Sequence, residues 1–330
     1  MASPIGFVGL GIMGEGMAAR LVSEGIAGTE QNPLVIWNRT ASKCHSFQKR
    51  FGGGDDDDTT TNNNKQPIII IKDTPKEVVE TCTVTYSMVS TPEASRSVFE
   101  GETGVLAGVT TGKSIVDCAT LAEADMIRMD QAVRDKGGRF LEAPVSGSKG
   151  PAAQGTLIFL CAGSKELFDE IKDHGLNVMG KASHFFHTNV GYGTRAKLVV
   201  NSLMGTMLAA FGEALAVSES MGLNPTTMLD VIGQGAIQTP MYNLKGPKMI
   251  VQDHTPNFPL KHAHKDMALA CDMAKHVGTE YSVMESAERL FRTARNDAEL
   301  NIADDDFSAV YELIHKQSTS EVSKKRKNIG

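Results

Sequence analysis

Residues 6–22 read GFVGLGIMGEGMAARLV. Three glycines, Gly9, Gly11 and Gly14, follow a short apolar run and open a segment with helical apolar spacing. A G-x-G-x-x-G triplet alone is a weak signal, but strand before and helix after is the context its mechanism requires. Gly9 allows a tight turn, Gly11 lets the backbone approach a pyrophosphate, and Gly14 lets helix and strand pack closely. The helix N-terminus then offers free N–H groups to the phosphates. Gly9, Leu10, Gly11, Ile12, Met13 and Gly14 are therefore assigned to a dinucleotide. The second strand, PLVIWNRT, ends on Asn38, Arg39 and Thr40, where NAD binders carry an acid for the ribose hydroxyls. Asn38 has no charge to repel a phosphate, and the Arg39 guanidinium suits a 2′-phosphate. Thr40 adds a hydroxyl. The expected cofactor is NADP(H).

The chain has 330 residues, 41% apolar and 22% charged, which is room for two domains. A net charge of -6 argues against a nucleic-acid partner. The five cysteines (Cys44, Cys82, Cys118, Cys161, Cys271) are scattered without a C-x-x-C pair, so neither a disulfide framework nor a zinc knuckle is expected. A reducing, cytoplasmic setting follows, or an organelle if a presequence has been trimmed; the first strand begins near Ile5 and leaves no room for one. No apolar run is judged long enough to span a membrane.

From residue 5 onward, apolar strands (PIGFVGLG, PLVIWNRT, TVTYSMVS, KSIVDCAT, GGRFLEAPVSG, GTLIFLCAG) alternate with helical segments. Such alternation predicts a parallel sheet covered on both faces. Residues 52–65, GGGDDDDTTTNNNK, are low in complexity and lack calcium-loop spacing, and are read as a disordered surface insertion. After residue 190 a segment of about 29 residues, TRAKLVVNSLMGTMLAAFGEALAVSESMG, is apolar nearly all round, as a helix buried on most sides would be. Further helical segments follow, and no strand signal returns. The expected architecture is α/β: a doubly wound sheet over 1–190 and an all-α domain over 191–330. The long helix joins them, and a basic, frayed tail runs from Ser320 to Gly330.

Two constellations suggest chemistry. In EAPVSGSKGPAAQGTL, Ser146, Gly147 and Ser148 follow a strand and suit a carboxylate cradle. In GYGTRAKLVVN, Lys197 and Asn201 lie four apart on one helix face. A lysine among apolar neighbours needs a reason, and its ammonium suits protonation of a developing alkoxide. His262 and His264 are two apart, do not share a helix face, and make a poor chelate; no metal is expected.

Taken together, GFVGLGIMGEGMA, EAPVSGSKGPAAQGTL, GYGTRAKLVVN and KHAHKDMALA resemble, in order, the motifs of the β-hydroxyacid dehydrogenase family. WNRTASKC, VSGSKG and FPLKHAHKDM resemble its plant-type glyoxylate/succinic semialdehyde reductase branch. The resemblance implies a Rossmann-type domain and a helical domain of the 6-phosphogluconate dehydrogenase type. It implies NADPH-dependent reduction of small aldehyde acids, with Lys197 as acid, Ser146 and Gly147 on the substrate carboxylate, and Asn201 on substrate or Lys197. It further implies Thr120 near nicotinamide and substrate, Met88 and Val89 along the cofactor, and Phe258, Lys265 and Asp266 closing the site. A homodimer or homotetramer is implied as well. The chain departs from the pattern at Ala119, where the family carries serine, and in its polyaspartate insert. Two rivals are an NAD-dependent 3-hydroxyisobutyrate dehydrogenase, which Asn38-Arg39-Thr40 argues against, and a non-catalytic NADP-binding scaffold. The latter, chromatin-associated in one relative, has lost the lysine that is present here as Lys197.

Overall fold

The computed structural model describes residues 3–52, 66–278 and 282–327, with side chains described as far as residue 318. The chain divides into two compact units, residues 1–197 and 198–330. The division falls inside a helix that both units share.

Among the described residues the first unit carries nine strands: β1 (Ile5–Val8), β2 (Leu34–Trp37), β3 (Ile69–Ile71), β4 (Val84–Ser87), β5 (Ser114–Asp117), β6 (Arg139–Glu142), β7 (Val145–Ser146), β8 (Leu157–Gly163) and β9 (Gly180–His187). Between them lie α1 (Gly14–Ser23), α2 (Ala41–Phe51), α3 (Pro75–Thr81), α4 (Pro92–Glu100), α5 (Val105–Gly108), α6 (Glu123–Asp135), α7 (Lys149–Gln154), α8 (Lys165–Ile171) and the single turn α9 (Asn177–Met179). The sheet order is β3-β2-β1-β4-β5-β6-β8-β7, with β9 on β8. From β3 to β6 every pair is parallel. Neighbouring strand residues face opposite sides, so each strand feeds two cores. Phe7, Ile36, Val116 and Leu141 enter one, and Val8, Val35, Ile115 and Phe140 the other.

The expected doubly wound α/β fold is present, with one correction. The sheet is mixed rather than parallel: β8 runs antiparallel to both β6 and β7. A buried apolar run has the same pattern in either direction, so GTLIFLCAG gives no hint of it. Strands β3 and β9 were not anticipated either.

The helix α10 (Tyr192–Ser220) runs from the first unit into the second, where α11 (Pro225–Gln234), α12 (Pro240–Ile250), α13 (Leu260–His276), α14 (Ser282–Asn296) and α15 (Val310–Lys327) follow. Residue pairs of one kind open several helices. Thr74-Pro75, Thr91-Pro92, Asn224-Pro225 and Thr239-Pro240 each put an oxygen-bearing cap before a proline, and each cap side chain accepts an N–H three residues on. Such a cap contributes about 1 kcal/mol, and proline at the first helical position gives up an N–H that had no partner.

Three further expectations change. By length and apolarity α10 is able to cross a bilayer, contrary to the reading of the sequence, but half of its most apolar stretch is buried inside the protein. Helix α12 was not foreseen. The basic end read as frayed continues as helix to Lys327; residues 328–330, and residues 53–65 of the insertion, lie outside those described.

Candidate active site

Parallel register brings the ends of β1, β2, β4, β5 and β6 level. Val8 pairs with Trp37 and Ser87, Ser87 with Asp117, and Asp117 with Glu142. The segments leaving these residues therefore depart from one edge of the sheet. They are the glycine turn, Asn38-Arg39-Thr40, Met88-Val89, Thr120 and the stretch leading to Ser146. Strand order reverses between β1 and β4, and the carboxyl edge at such a reversal is where open α/β sheets bind ligands.

The three glycines are needed for different reasons. Gly9 has φ +100°, and a Cβ there would run into the Met88 carbonyl oxygen; at Gly14 a Cβ would strike the carbonyl of Gly9. At Gly11 a Cβ would meet nothing within 4 Å. Gly9 and Gly14 thus close the turn, and Gly11 leaves its outer face open, which fits a pyrophosphate. No side chain caps α1. One turn further on, a Cβ on Gly16 would come within 2.9 Å of the Ala153 nitrogen, so α1 lies flush against α7.

Asn38 does not reach outward. Its Oδ1 accepts the N–H of Leu10 at 2.9 Å, and its Nδ2 donates to the Thr40 carbonyl at 3.0 Å. The side chain is a strut between the glycine turn and the end of β2. Arg39 and Thr40 are exposed, as is Ile12, while Leu10 is buried. Met88 donates its N–H to Val8 and sets its carbonyl against Gly9. Before Thr120, the buried Asp117 accepts the N–H of Ala119 at 3.0 Å, and burial pushes its carboxyl up to about 6.

Ser146 is held by pairing with Ile158 on β8. Gly147 has φ +136°, and a Cβ there would press to 2.7 Å from a Leu157 methyl. Ser148 precedes α7 without bonding its N–H groups, which leaves the hydroxyl for other work.

Lys197 is only 5% exposed, as is Asn201 one turn along α10. Within the second unit the Asn201 amide donates to Asp266 Oδ2 at 2.6 Å, and Lys265 pairs with Asp266 Oδ1 at 2.9 Å. Asp266 is buried. Lys265 and Asp266 are thus parts of a buried polar cluster and not a solvated helix face. Phe258 packs into the helical core, edge-on to Phe307 at 5.6 Å. Its backbone, with that of Asn257, is held by the buried Asp306, which also pairs with Lys245 at 2.6 Å.

His264 is engaged by Glu288 and Arg295, and burial lowers its pKa. Among the described residues no group of three or more ligating side chains is placed to hold a metal. A cavity of about 350 Å³ against Phe211, Leu229 and Tyr242 contains none of the residues named from the sequence.

One residue escaped the sequence reading. Glu142, at the end of β6, is fully buried, and its carboxylate accepts N–H groups of Gly191, Gly193 and Thr194 at the start of α10. Burial raises it to about 7 against the pull of those three donors. The acid stands directly before the Ala-Pro of EAPVSG, and the paired glycines of GYG were the only sign of what it meets.

Residues 4–192 match the family model for the NAD binding domain of 6-phosphogluconate dehydrogenase, and residues 191–314 that for the NAD-binding of NADP-dependent 3-hydroxyisobutyrate dehydrogenase. An Arabidopsis thaliana protein named glyoxylate/succinic semialdehyde reductase 2, chloroplastic, is 39% identical over 96% of this chain and 81% of its own length. Arabidopsis glyoxylate/succinic semialdehyde reductase 1 is 38% identical over 94% of this chain and 98% of its own. A solved structure of 3-hydroxyisobutyrate dehydrogenase from Salmonella typhimurium shares the fold. Its TM-score is 0.80 at 22% identity, over 94% of this chain and 99% of that one. With its two nicotinamide-binding modules matched end to end and relatives of this closeness along nearly its whole length, the chain is an oxidoreductase of the β-hydroxyacid dehydrogenase family.

Proposed function

We propose that the chain reduces small aldehyde acids with NADPH, glyoxylate to glycolate and succinic semialdehyde to 4-hydroxybutyrate. The observation that carries this reading is the buried lysine of α10, one turn ahead of a buried asparagine. An ammonium is costly to take from water, and reduction of a carbonyl gives it a task there.

In this reading Gly9 to Gly14 hold the pyrophosphate, Arg39 and Thr40 the 2′-phosphate, and Met88, Val89, Thr120, Phe258 and Lys265 the rest of the cofactor. When bound, the reduced nicotinamide supplies a hydride to the aldehyde carbon. Ser146, Gly147 and Ser148 bind the substrate carboxylate through hydroxyl and backbone donors, and Thr120 and Asp266 border it. Lys197 Nζ gives a proton to the carbonyl oxygen as its negative charge develops. Asn201, oriented by Asp266, keeps the lysine or the substrate oxygen in place. Asn38 serves from behind by fixing the turn. The two relatives named for this activity support the substrate class.

The assembly we propose is a homodimer or homotetramer. On α10, Val200, Leu203, Met207, Ala210, Ala214, Val217 and Met221 (the last just past its end) recur at alternate steps of three and four. Val200, Leu203, Val217 and Met221 are 41–72% exposed. Such an apolar stripe suits another helix. We further propose a cytoplasmic address; fractionation tests it against an organelle, which the chloroplastic relative brings forward.

The deciding experiment follows nicotinamide absorbance with glyoxylate, succinic semialdehyde and 3-hydroxyisobutyrate, using NADP(H) and NAD(H) separately. Reduction of either aldehyde acid with NADPH is expected. Turnover of 3-hydroxyisobutyrate with NAD alone would replace this reading by the dehydrogenase one. Cofactor binding without any turnover would replace it by a scaffold.

A further inference from the structure

Glu142 occupies a junction that the reaction just described leaves unused. Behind it in the chain, four residues on, is Ser146 at the end of β7. In front of its carboxylate is the first turn of α10, with Lys197 three residues beyond Thr194. The turn is shaped around the carboxylate. Gly191 has φ +107°, and a Cβ there would press on the Glu123 side chain at 3.0 Å. A Cβ on Gly193 would reach Glu142 Oε1 at 2.6 Å and collide with the Leu160 carbonyl. Glycine at 193 is what admits Glu142 so closely, and glycine at 191 is what its left-handed backbone requires. From the outer side, Glu123 grips Arg195 through two nitrogens, and Arg195 lies over the Tyr192 ring at 4.6 Å. Tyr192 in turn stacks on His187 at 4.3 Å. The start of α10 is thus held from within by one buried carboxylate and from outside by one ion pair.

We propose that Glu142 is a positioning residue: by binding the free N–H groups of the first turn of α10, it fixes the rotation and rise of that helix and hence the place of the Lys197 ammonium relative to the Ser146 segment. In its ionised form the acid suits this because all its lone pairs accept, and the first N–H groups of a helix have no partner of their own. A glutamine would turn an NH2 toward donors. The inference leans on the reductase reading only for the task given to Lys197; the geometry stands without it.

The test is a double-mutant cycle of Glu142→Gln and Lys197→Ala in the full chain, read by kcat and by hydrogen exchange. Glu142→Gln alone is expected to lower kcat by ~100-fold, as small misplacements of a reacting group do, with NADPH affinity unchanged. In the Lys197→Ala background the same change is expected to cost less than ~3-fold, because the two residues then act as one unit. Exchange is expected to quicken at Gly191, Gly193 and Thr194 and to stay slow in β1 and α1. Equal costs in both backgrounds overturn the proposal, as does exchange quickened across β6 and β8 together, which marks a merely structural acid. If the wild-type protein reduces no aldehyde acid, the reductase reading fails by itself. The positioning is then decided by acylation of Lys197 with a small amine-reactive acyl donor such as acetic anhydride, which loses acetate, followed by peptide mass spectrometry. A changed rate at Lys197 in Glu142→Gln, with Lys149 and Lys165 unaltered, supports it, and an unchanged rate overturns it.

Discussion

Along the sheet edge of residues 1–197, position is set mostly by backbone. Gly9 and Gly14 close a turn that no other residue enters, register levels five strand ends, and Gly147 turns the chain after Ser146. In residues 198–330, position is set by charges taken out of water. Asp266 holds Asn201 and Lys265, and Asp306 holds Lys245 and the backbone of Asn257 and Phe258. A surface made of peptide groups suits a ligand held chiefly by phosphates, which backbone N–H groups recognise well. A buried ion pair gives a side chain one direction, at the cost of depending on its partner. The two regions should therefore fail differently when altered.

The sharpest contrast lies within the glycine turn. Gly14→Ala should cost at least ~4 kcal/mol, since its Cβ meets a backbone carbonyl with nowhere to go. Gly11→Ala should leave stability within ~1 kcal/mol yet weaken NADPH by ~10-fold or more if, as proposed, the open face carries the pyrophosphate. Thermal melts beside cofactor titrations separate the two, and equal melts would end the distinction.

On the helical side, Lys245→Ala strands Asp306 as an unpaired buried charge, and denaturant unfolding should show a loss of about 3–5 kcal/mol. A loss under ~1 kcal/mol would mean that the region is not held by charge. Lys197→Ala should lower kcat at least ~100-fold with NADPH affinity kept; retained turnover removes the lysine from the chemistry. Arg39→Ala should weaken NADPH roughly 10–100-fold and leave NADH alone, in line with a charged hydrogen bond lost. An equal effect on both cofactors would strike out the 2′-phosphate contact.

The smallest effect concerns Asp117, raised by burial to about 6. A carboxyl with a raised folded pKa stabilises the fold fully below its unfolded value, near 3.8, and loses that contribution as pH climbs through 6. The melting point of Asp117→Asn relative to wild type should therefore rise between pH 4.5 and 7, by about 2–4 °C. A fall would contradict the burial argument.

The backbone-built side was the legible one. Glycine spacing and apolar runs announced the turn, the parallel strands β1, β2, β4 and β5, and the edge where the residues gather. Strand β9 (GKASHFFH) stayed hidden because its burial alternates weakly and it carries polar residues at the sheet's end. Helix α12 hid behind Gly246 and Pro247, which interrupt any helical pattern. Lys265, Asp266 and Phe258 were named only through family resemblance, since ion pairs between distant residues leave no periodic trace. Asn38 was seen, but its direction was not: a side chain that faces back into its own loop looks in sequence like one that faces a ribose. Glu142 was missed because its partners lie some 50 residues away.

Gly16 adds a last consequence. Because α1 rests on the backbone of α7 there, the helix that would face the pyrophosphate is joined to the segment beginning at Ser148. Any side chain at position 16 must push the two apart. Cofactor and substrate affinities should then shift together, and by the reciprocity of linked equilibria each ligand would feel the other's departure through a contact that neither touches.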